Sequence, residues 1–133
     1  MVFFFSSYWY SFSLNNNYGI IPFFLSLFYH PSSSSSLQDQ YGRTALMRAA
    51  LYGHDTVIPL LLEADAQIDV QTNDGWTPLI WASYSGKEAA VRELLKGNPN
   101  LDLKDSDGDT ALDNARKKNH QSIVDLLVNH GRP

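Results

Sequence analysis

The sequence predicts an all-α repeat solenoid: three helix-turn-helix units with short β-hairpin connections, preceded by a poorly ordered leader. The main observation is a fixed period of 33 residues without insertion or deletion, which is typical of a stacked repeat protein. The period relates three glycine-led segments that begin at Gly42, Gly75 and Gly108. The second observation is a change in composition, since all 24 charged side chains lie at or after Asp39 and all seven Phe lie at or before Phe28. We therefore expect a leader over residues 1–36 and a repeat domain over residues 37–133.

The leader is of low complexity and rich in aromatic residues and Ser. Its apolar clusters, Val2–Phe5 and Tyr18–Tyr29, are shorter than the roughly 20 residues of a membrane span. The stretch Ile20–Phe28 has the length of a signal-peptide core, but no Lys or Arg precedes it and no Ala-x-Ala-like site follows. We expect residues 1–36 to be poorly structured, with the Ser run as a flexible linker. Membrane association or secretion through residues 1–30 is the alternative.

The three units, about 40–72, 73–105 and 106–131, share one internal order. Each begins with a polar turn that contains Gly, which tolerates the positive φ of tight hairpin turns. Each then has a Thr before an apolar run, the usual N-cap of a helix; these residues are Thr44, Thr77 and Thr110. The first helices are predicted over 45–51, 78–84 and 111–118. The second helices, with apolar residues at helical spacing, are predicted over 55–63, 88–95 and 121–128.

The segment Thr77-Pro78-Leu79-Ile80-Trp81-Ala82 resembles the ankyrin signature Thr-Pro-Leu-His-x-Ala, with Ile80 in place of His. Together with the period, it identifies residues 37–131 as similar to the ankyrin repeat family. The resemblance implies a non-catalytic protein–protein interaction module, which binds its partner on a concave surface of hairpin tips and first helices. The partner would be another protein, and we expect a monomer in the cytoplasm.

The predicted partner-binding residues lie at the hairpin tips, directly after the turn glycines, and on the exposed side of the first helices. They are Tyr41, Arg43, Arg48, Tyr52, Asp74, Trp76, Trp81, Tyr84, Asp107, Asp109, Asn114 and Lys117. Trp, Tyr and Arg are enriched in binding hot spots, which gives Trp76 and Trp81 the central place. The alternative is that both Trp side chains only pack against neighbouring repeats.

Three further features carry structural expectations. Pro59 falls inside a predicted second helix, where it would remove one hydrogen bond and kink the helix. The third unit is polar where the others are apolar, at Asn114 and from Arg116 to Gln121, which suits a C-terminal cap. Unit one has no such cap, and we expect the leader or a partner to cover its apolar face.

Other functional classes are disfavoured by the same residues. The net charge of −4 argues against nucleic-acid binding, and no cofactor, phosphate loop or catalytic motif is recognisable. The run from Asp105 to Asp109 invites a calcium site, but an EF-hand register places Leu103 at position 1 and Asn114 at position 12, so we expect no metal. Two alternatives to a self-standing interaction module stay open: a secreted or membrane-delivered ankyrin effector, and a truncated fragment of a longer array.

Overall fold

The computed structural model describes residues 4–5, 8–9 and 37–130. The chain divides into two units, Met1–His30 and Pro31–Pro133. In the first unit, β1 (Phe4–Phe5) pairs antiparallel with β2 (Tyr8–Trp9), so that Phe4 faces Trp9 and Phe5 faces Tyr8. The other predictions about the leader, including its order and a signal or membrane role, lie outside the described residues.

Over residues 37–130 the second unit consists of helices joined by turns. The helices are α1 (Ala45–Tyr52), α2 (Val57–Glu63), α3 (Pro78–Tyr84), α4 (Glu88–Lys96), α5 (Ala111–Lys117) and α6 (Gln121–Asn129). The first helices α1, α3 and α5 pack side by side, and the second helices α2, α4 and α6 form a parallel row behind them. This arrangement confirms the predicted all-α repeat solenoid. Within residues 37–130, none of the helices combines the length and apolar character that crossing a membrane requires.

The first helices begin where the Thr residues predict. The hydroxyl oxygens of Thr44, Thr77 and Thr110 accept the backbone N–H groups three residues later, at 3.3, 3.1 and 3.2 Å. Each such cap is worth about 1 kcal/mol. Pro78 occupies the first position of α3, where its missing N–H has no intrahelical acceptor to lose. Local sequence alone therefore positions the row of helices that carries the predicted surface.

Pro59 lies inside the second helix, as the sequence predicts, and is the third residue of α2, which begins at Val57, two residues later than predicted. The His54 carbonyl accepts the N–H groups of Val57 and Ile58. The equivalent His120 accepts the same pair in unit three, yet α6 begins directly after it. The later start of α2 follows from Pro59, which has no N–H to donate to the carbonyl four residues earlier; the kink stays a prediction.

The core lies between the two rows of helices. Its first-helix contribution is a row of small residues, Ala49, Ala82 and Ala115, which are buried and allow the helices to approach closely. The second helices contribute the larger side chains Ile58, Val91, Leu94, Ile123 and Leu127, all buried. Burial of each such aliphatic side chain stabilises the fold by roughly 1.5–3 kcal/mol.

The connections between units contain turns and, within residues 37–130, no strand, so the predicted β-hairpins are not confirmed. In the middle connection two backbone bonds close the turn: the N–H of Thr72 donates to the Trp76 carbonyl at 3.0 Å, and that of Gly75 donates to the Thr72 carbonyl at 2.9 Å. Neighbouring tips are joined by one further backbone bond each. The N–H of Asn73 donates to the Tyr41 carbonyl at 3.2 Å, and that of Ser106 donates to the Asp74 carbonyl at 2.9 Å. The tips therefore form a row that is in register with the repeat.

The N-terminal face of unit one exposes apolar side chains. Leu37 and Leu60 are 69% and 62% exposed. Val57 is 40% exposed, although the equivalent residues of the later units, Ala90 and Ile123, are fully buried. The structure thus shows the uncapped face that the sequence indicates, while its covering by the leader stays a prediction.

Candidate interaction surface

Three aromatic side chains cluster on the solvent side of unit two. Trp76 follows the turn, and Trp81 and Tyr84 lie on neighbouring turns of α3. The ring centroids of Trp76 and Trp81 are 4.3 Å apart, and Tyr84 meets Trp76 edge-on at 5.1 Å. Such pairs contribute about 0.5–1.5 kcal/mol beyond the area that they bury. We name these three residues the aromatic cluster.

The aromatic cluster is neither core nor free surface. Leu79, Ile80 and Ala82, which alternate with it along α3, are buried. Trp76 and Trp81 are half-buried, and Tyr84 is 37% exposed. Trp76 also packs against the edge of the hydrophobic core. These rings therefore pack against the stack and still present area to solvent, and their role in partner binding stays a prediction.

Beside the aromatic cluster, unit one contributes two arginines that share one carboxylate. Asp39 Oδ2 accepts Arg43 Nε at 2.7 Å and contacts an Arg48 guanidinium nitrogen at 3.5 Å. Asp39 Oδ1 accepts the backbone N–H groups of Tyr41 and Arg43 at 2.9 and 3.0 Å. Desolvation raises the pKa of Asp39, but the hydrogen bonds from Arg43 and Tyr41 outweigh it and lower the pKa to about 2. The carboxylate of Asp39 is therefore ionised at neutral pH and stabilises the turn by accepting these hydrogen bonds.

A small depression lies where α1 meets α3. Its lining includes the apolar side chains of Met47 and Leu51 and the ring of Trp81, with polar groups around them. The polar lining residues are Arg43, Arg48 and Tyr52. Tyr52 is exposed, and Arg43 stacks on the exposed Tyr41 ring at 4.7 Å from its centroid.

Unit three adds cations on the other side of the aromatic cluster. Lys117 forms an ion pair with Asp109, and this hydrogen bond raises the pKa of the Lys117 ammonium. The Lys118 ammonium lies over the Tyr84 ring, 4.3 Å from its centroid. Such a cation–π contact contributes about 0.5–1 kcal/mol at an exposed site. Lys118 was absent from the predicted site, although its place at the end of α5 follows from the repeat register.

Asn114 was predicted to bind a partner and to belong to the polar cap, but the structure buries it. Its Nδ2 donates to Asp105 Oδ2 at 2.9 Å and to the Thr110 carbonyl at 3.2 Å. Asp105 is also buried, and its Oδ1 accepts the N–H groups of Asp107 and Asp109 at 3.0 Å each. Asn114 is thus part of the scaffold. The other residues of the predicted cap at the end of α5, such as Arg116 and Lys118, are exposed, and their capping role stays a prediction.

The acidic residues of the third turn come close together. Carboxylate oxygens of Asp105, Asp107 and Asp109 lie within 4.8 Å of one another. Asp105 is engaged by the turn and by Asn114, and Asp109 pairs with Lys117. The carboxylates of Asp105 and Asp109 thus lie close together because both take part in contacts of the turn. Asp107 is exposed at the tip of the turn.

Asp39 and Asp105 are the residues that the sequence interpretation missed. They occupy the same position in two repeats, and each accepts backbone N–H groups of its turn. The residue at that position in unit two is Thr72, whose Oγ1 accepts the Trp76 N–H at 3.0 Å. An acceptor at a fixed place before each turn glycine was the signal that would have found them.

The predicted site residues thus fall into three groups. The residues that adjoin the aromatic cluster are Arg43, Arg48 and Tyr52. The residues at the turn tips are Tyr41, Asp74 and Asp107. In unit three, Asp109 and Lys117 form an ion pair, and Asn114 is buried.

Comparison with known proteins agrees with this geometry. A family model described as "Ankyrin repeats (3 copies)" matches residues 58–133, more than half of the chain, and one described as "Ankyrin repeats (many copies)" matches residues 29–82. The chain belongs to the ankyrin repeat family. A search of curated proteins found no match. Ankyrin repeats are generally protein–protein interaction modules without catalytic activity, and the aromatic cluster lies on the turn and first-helix side of the ankyrin stack.

Proposed function

We propose that this ankyrin stack binds another protein through the surface formed by its turn tips and first helices, and that it has no catalytic activity of its own. The aromatic cluster of Trp76, Trp81 and Tyr84 is the centre of the proposed surface. The flanking residues are Arg43, Arg48 and Tyr52 on one side, and Lys117 and Lys118 on the other.

The observation that carries the proposal is the position of the aromatic cluster. Its three rings lie on the outer side of α3, while the alternate residues of the same helix fill the core. Hot spots of protein interfaces are enriched in Trp, Tyr and Arg, and they cluster near the centre of the contact. Helix α3 of the middle unit packs against α1 on one side and α5 on the other, so the rings are held on a helix that is supported from both sides.

The ionisable residues near the aromatic cluster support a binding role over catalysis. Asp39 and Asp105 are acceptors for turn N–H groups, and Asp109 is paired with Lys117. Each of these carboxylates thus has a structural role in the turns.

The experiment is affinity capture from a cell lysate with the tagged full chain, followed by titration of the captured protein. Trp76→Ala should weaken binding by more than tenfold, since a hot-spot truncation costs about 2 kcal/mol or more. The thermal midpoint should fall by several degrees while the melt stays cooperative, because the half-buried Trp76 ring packs only against the edge of the core. Arg92→Ala is the matched control, because Arg92 lies on α4, in the row of helices behind the proposed surface.

The outcomes separate recognition from packing. Loss of capture by a variant that keeps its circular dichroism spectrum and cooperative melt supports the proposal. Capture that is equally strong with wild type, Trp76→Ala and Trp81→Ala would overturn it. Unfolding of the stack by both substitutions would assign the rings to packing alone.

A further inference from the structure

The charges around the aromatic cluster are unevenly distributed. Beside the first helices lie the cations Arg48 and Lys118, and Arg43 at the turn is paired with Asp39, whereas the turn tips present the exposed carboxylates of Asp74 and Asp107. The surface is therefore basic beside the first helices and acidic at the tips, although the whole chain carries a net charge of −4. A partner that lies along the helices meets the basic half.

Arg48 has the most accessible guanidinium of the pair in unit one. Arg43 is committed, because its Nε bonds Asp39 at 2.7 Å and its guanidinium lies over Tyr41. Arg48 reaches the same carboxylate oxygen only at 3.5 Å, and its side chain is 54% exposed. One carboxylate thus serves two guanidiniums, which leaves Arg48 with donors directed to solvent among the described residues. A guanidinium binds a second carboxylate readily, because its planar donors match the carboxylate geometry.

The depression beside Arg48 has room for about one water molecule, so no side chain of a partner enters it. The apolar area next to Arg48 is instead that of the aromatic rings, since Trp81 is half-buried and Tyr52 is 59% exposed. An apolar residue packed on these rings would place its chain neighbours next to Arg48. The combination selects a partner segment that has an apolar residue beside an acidic one.

We propose that the surface recognises an acidic segment of its protein partner. One apolar side chain of the segment packs on the rings of Trp81 and Tyr52, a neighbouring carboxylate pairs with Arg48, and a second carboxylate pairs with Lys118 across the aromatic cluster. This assignment rests on the proposed function and specifies the chemistry of the partner.

The dimensions suit a short extended peptide. Packed helices lie about 8–10 Å apart, so two repeat steps from α1 to α5 span roughly 16–20 Å. An extended chain covers that distance in about five or six residues. The acidic tips at Asp74 and Asp107 add selectivity, because they repel a segment whose carboxylates approach from the wrong side.

The test uses synthetic probes and the full chain labelled with 15N. The first peptide has nine residues and alternates Glu with Leu. A second peptide replaces every Glu with Gln, and a third replaces every Glu with Lys. Side-chain signals of Trp76, Trp81 and the arginines in NMR spectra report binding at millimolar peptide. We expect the Glu peptide to shift the Trp81 and Arg48 signals, and to bind at least fivefold more tightly than the Gln peptide.

Two variants test whether Arg48 causes the preference for the Glu peptide over the Gln peptide. Arg48→Gln should weaken binding of the Glu peptide at least fivefold and leave binding of the Gln peptide unchanged. Arg92→Gln, the matched control on α4, should change neither. The inference is overturned if the Glu peptide causes no shifts, if Glu and Gln peptides bind equally, if the Lys peptide is preferred, or if Arg48→Gln has no effect.

These outcomes are distinct from those of the capture experiment. Partner capture that depends on Trp76 but is unchanged by Arg48→Gln refutes the acidic segment and leaves the proposed function standing. Partner capture that is unchanged by Trp76→Ala and Trp81→Ala refutes the proposed function itself.

Discussion

Replacement of Asp105 by Ala should destabilise the third unit more than its place in a surface turn suggests. The substitution removes the acceptor of two backbone N–H groups, those of Asp107 and Asp109, and the acceptor of the buried Asn114 amide. Each of the two turn bonds is worth about 1 kcal/mol. The Asn114 amide keeps its bond to the Thr110 carbonyl, so the penalty for its lost partner lies near the lower end of about 1–3 kcal/mol. We therefore expect a loss of about 3 kcal/mol.

The assay is urea denaturation and thermal melting followed by circular dichroism at 222 nm. In a domain of this size, 3 kcal/mol lowers the thermal midpoint by about 12–24 °C. Asp107→Ala is the matched control, because Asp107 is exposed and its carboxylate makes no hydrogen bond within residues 37–130; its midpoint should change by less than about 3 °C, as expected for surface substitutions.

A double-mutant cycle tests the cause. Asp105→Ala and Asn114→Ala remove the two ends of one buried hydrogen bond, so the double variant should lose less stability than the two single losses together, by about 0.5–3 kcal/mol. A melt of Asp105→Ala within 3 °C of wild type would refute the reasoning. So would additive losses in the cycle, because they would mean that Asn114 does not depend on Asp105.

Two further predictions concern the spacing and the end of the stack. Gly75→Ala should destabilise the protein more than Gly108→Ala in the same urea assay. Both glycines have φ near +80°, but a Cβ on Gly75 would lie 2.9 Å from the Lys104 carbonyl oxygen, whereas one on Gly108 would have no atom within 4 Å; equal losses would contradict this. Leu60→Glu should leave the melting midpoint unchanged and reduce self-association in analytical ultracentrifugation, because Leu60 is 62% exposed and its equivalent in unit two is Glu93. A marked fall in the midpoint would show that Leu60 is packed.

The sequence predicts the fold well because the repeat presents the same local signals three times. Each first helix begins after a Thr whose hydroxyl caps it, and each has a small Ala at the crowded helix contact. These are local or nearest-neighbour effects, so periodicity and capping rules are sufficient to place them. Within residues 37–130 the predicted strands are absent, because each turn is closed by only two backbone bonds within five residues, which is too little pairing for a ladder.

The site was less predictable because it depends on pairings between separate segments. Asn114 occupies the repeat position of the exposed Arg48 and the half-buried Trp81, yet it is buried and bonded to Asp105, nine residues earlier. The period relates this pair to Asp39 and Arg48, which are also nine residues apart, but it does not show that only Asn114 is buried. The role of Lys118 depends on its contact with the Tyr84 ring of the neighbouring unit, which only the folded stack brings together.

The row of turn tips has a consequence for how such an array changes over generations. Two of its linking bonds join backbone atoms, from Asn73 to Tyr41 and from Ser106 to Asp74, so these two links do not depend on which side chains the tips carry. An insertion of one residue, by contrast, displaces all later donors from their acceptors. Duplication of a whole unit of 33 residues restores the match. The array can therefore gain length in whole units while each tip acquires a new side chain independently, so that recognition diversifies without a new scaffold.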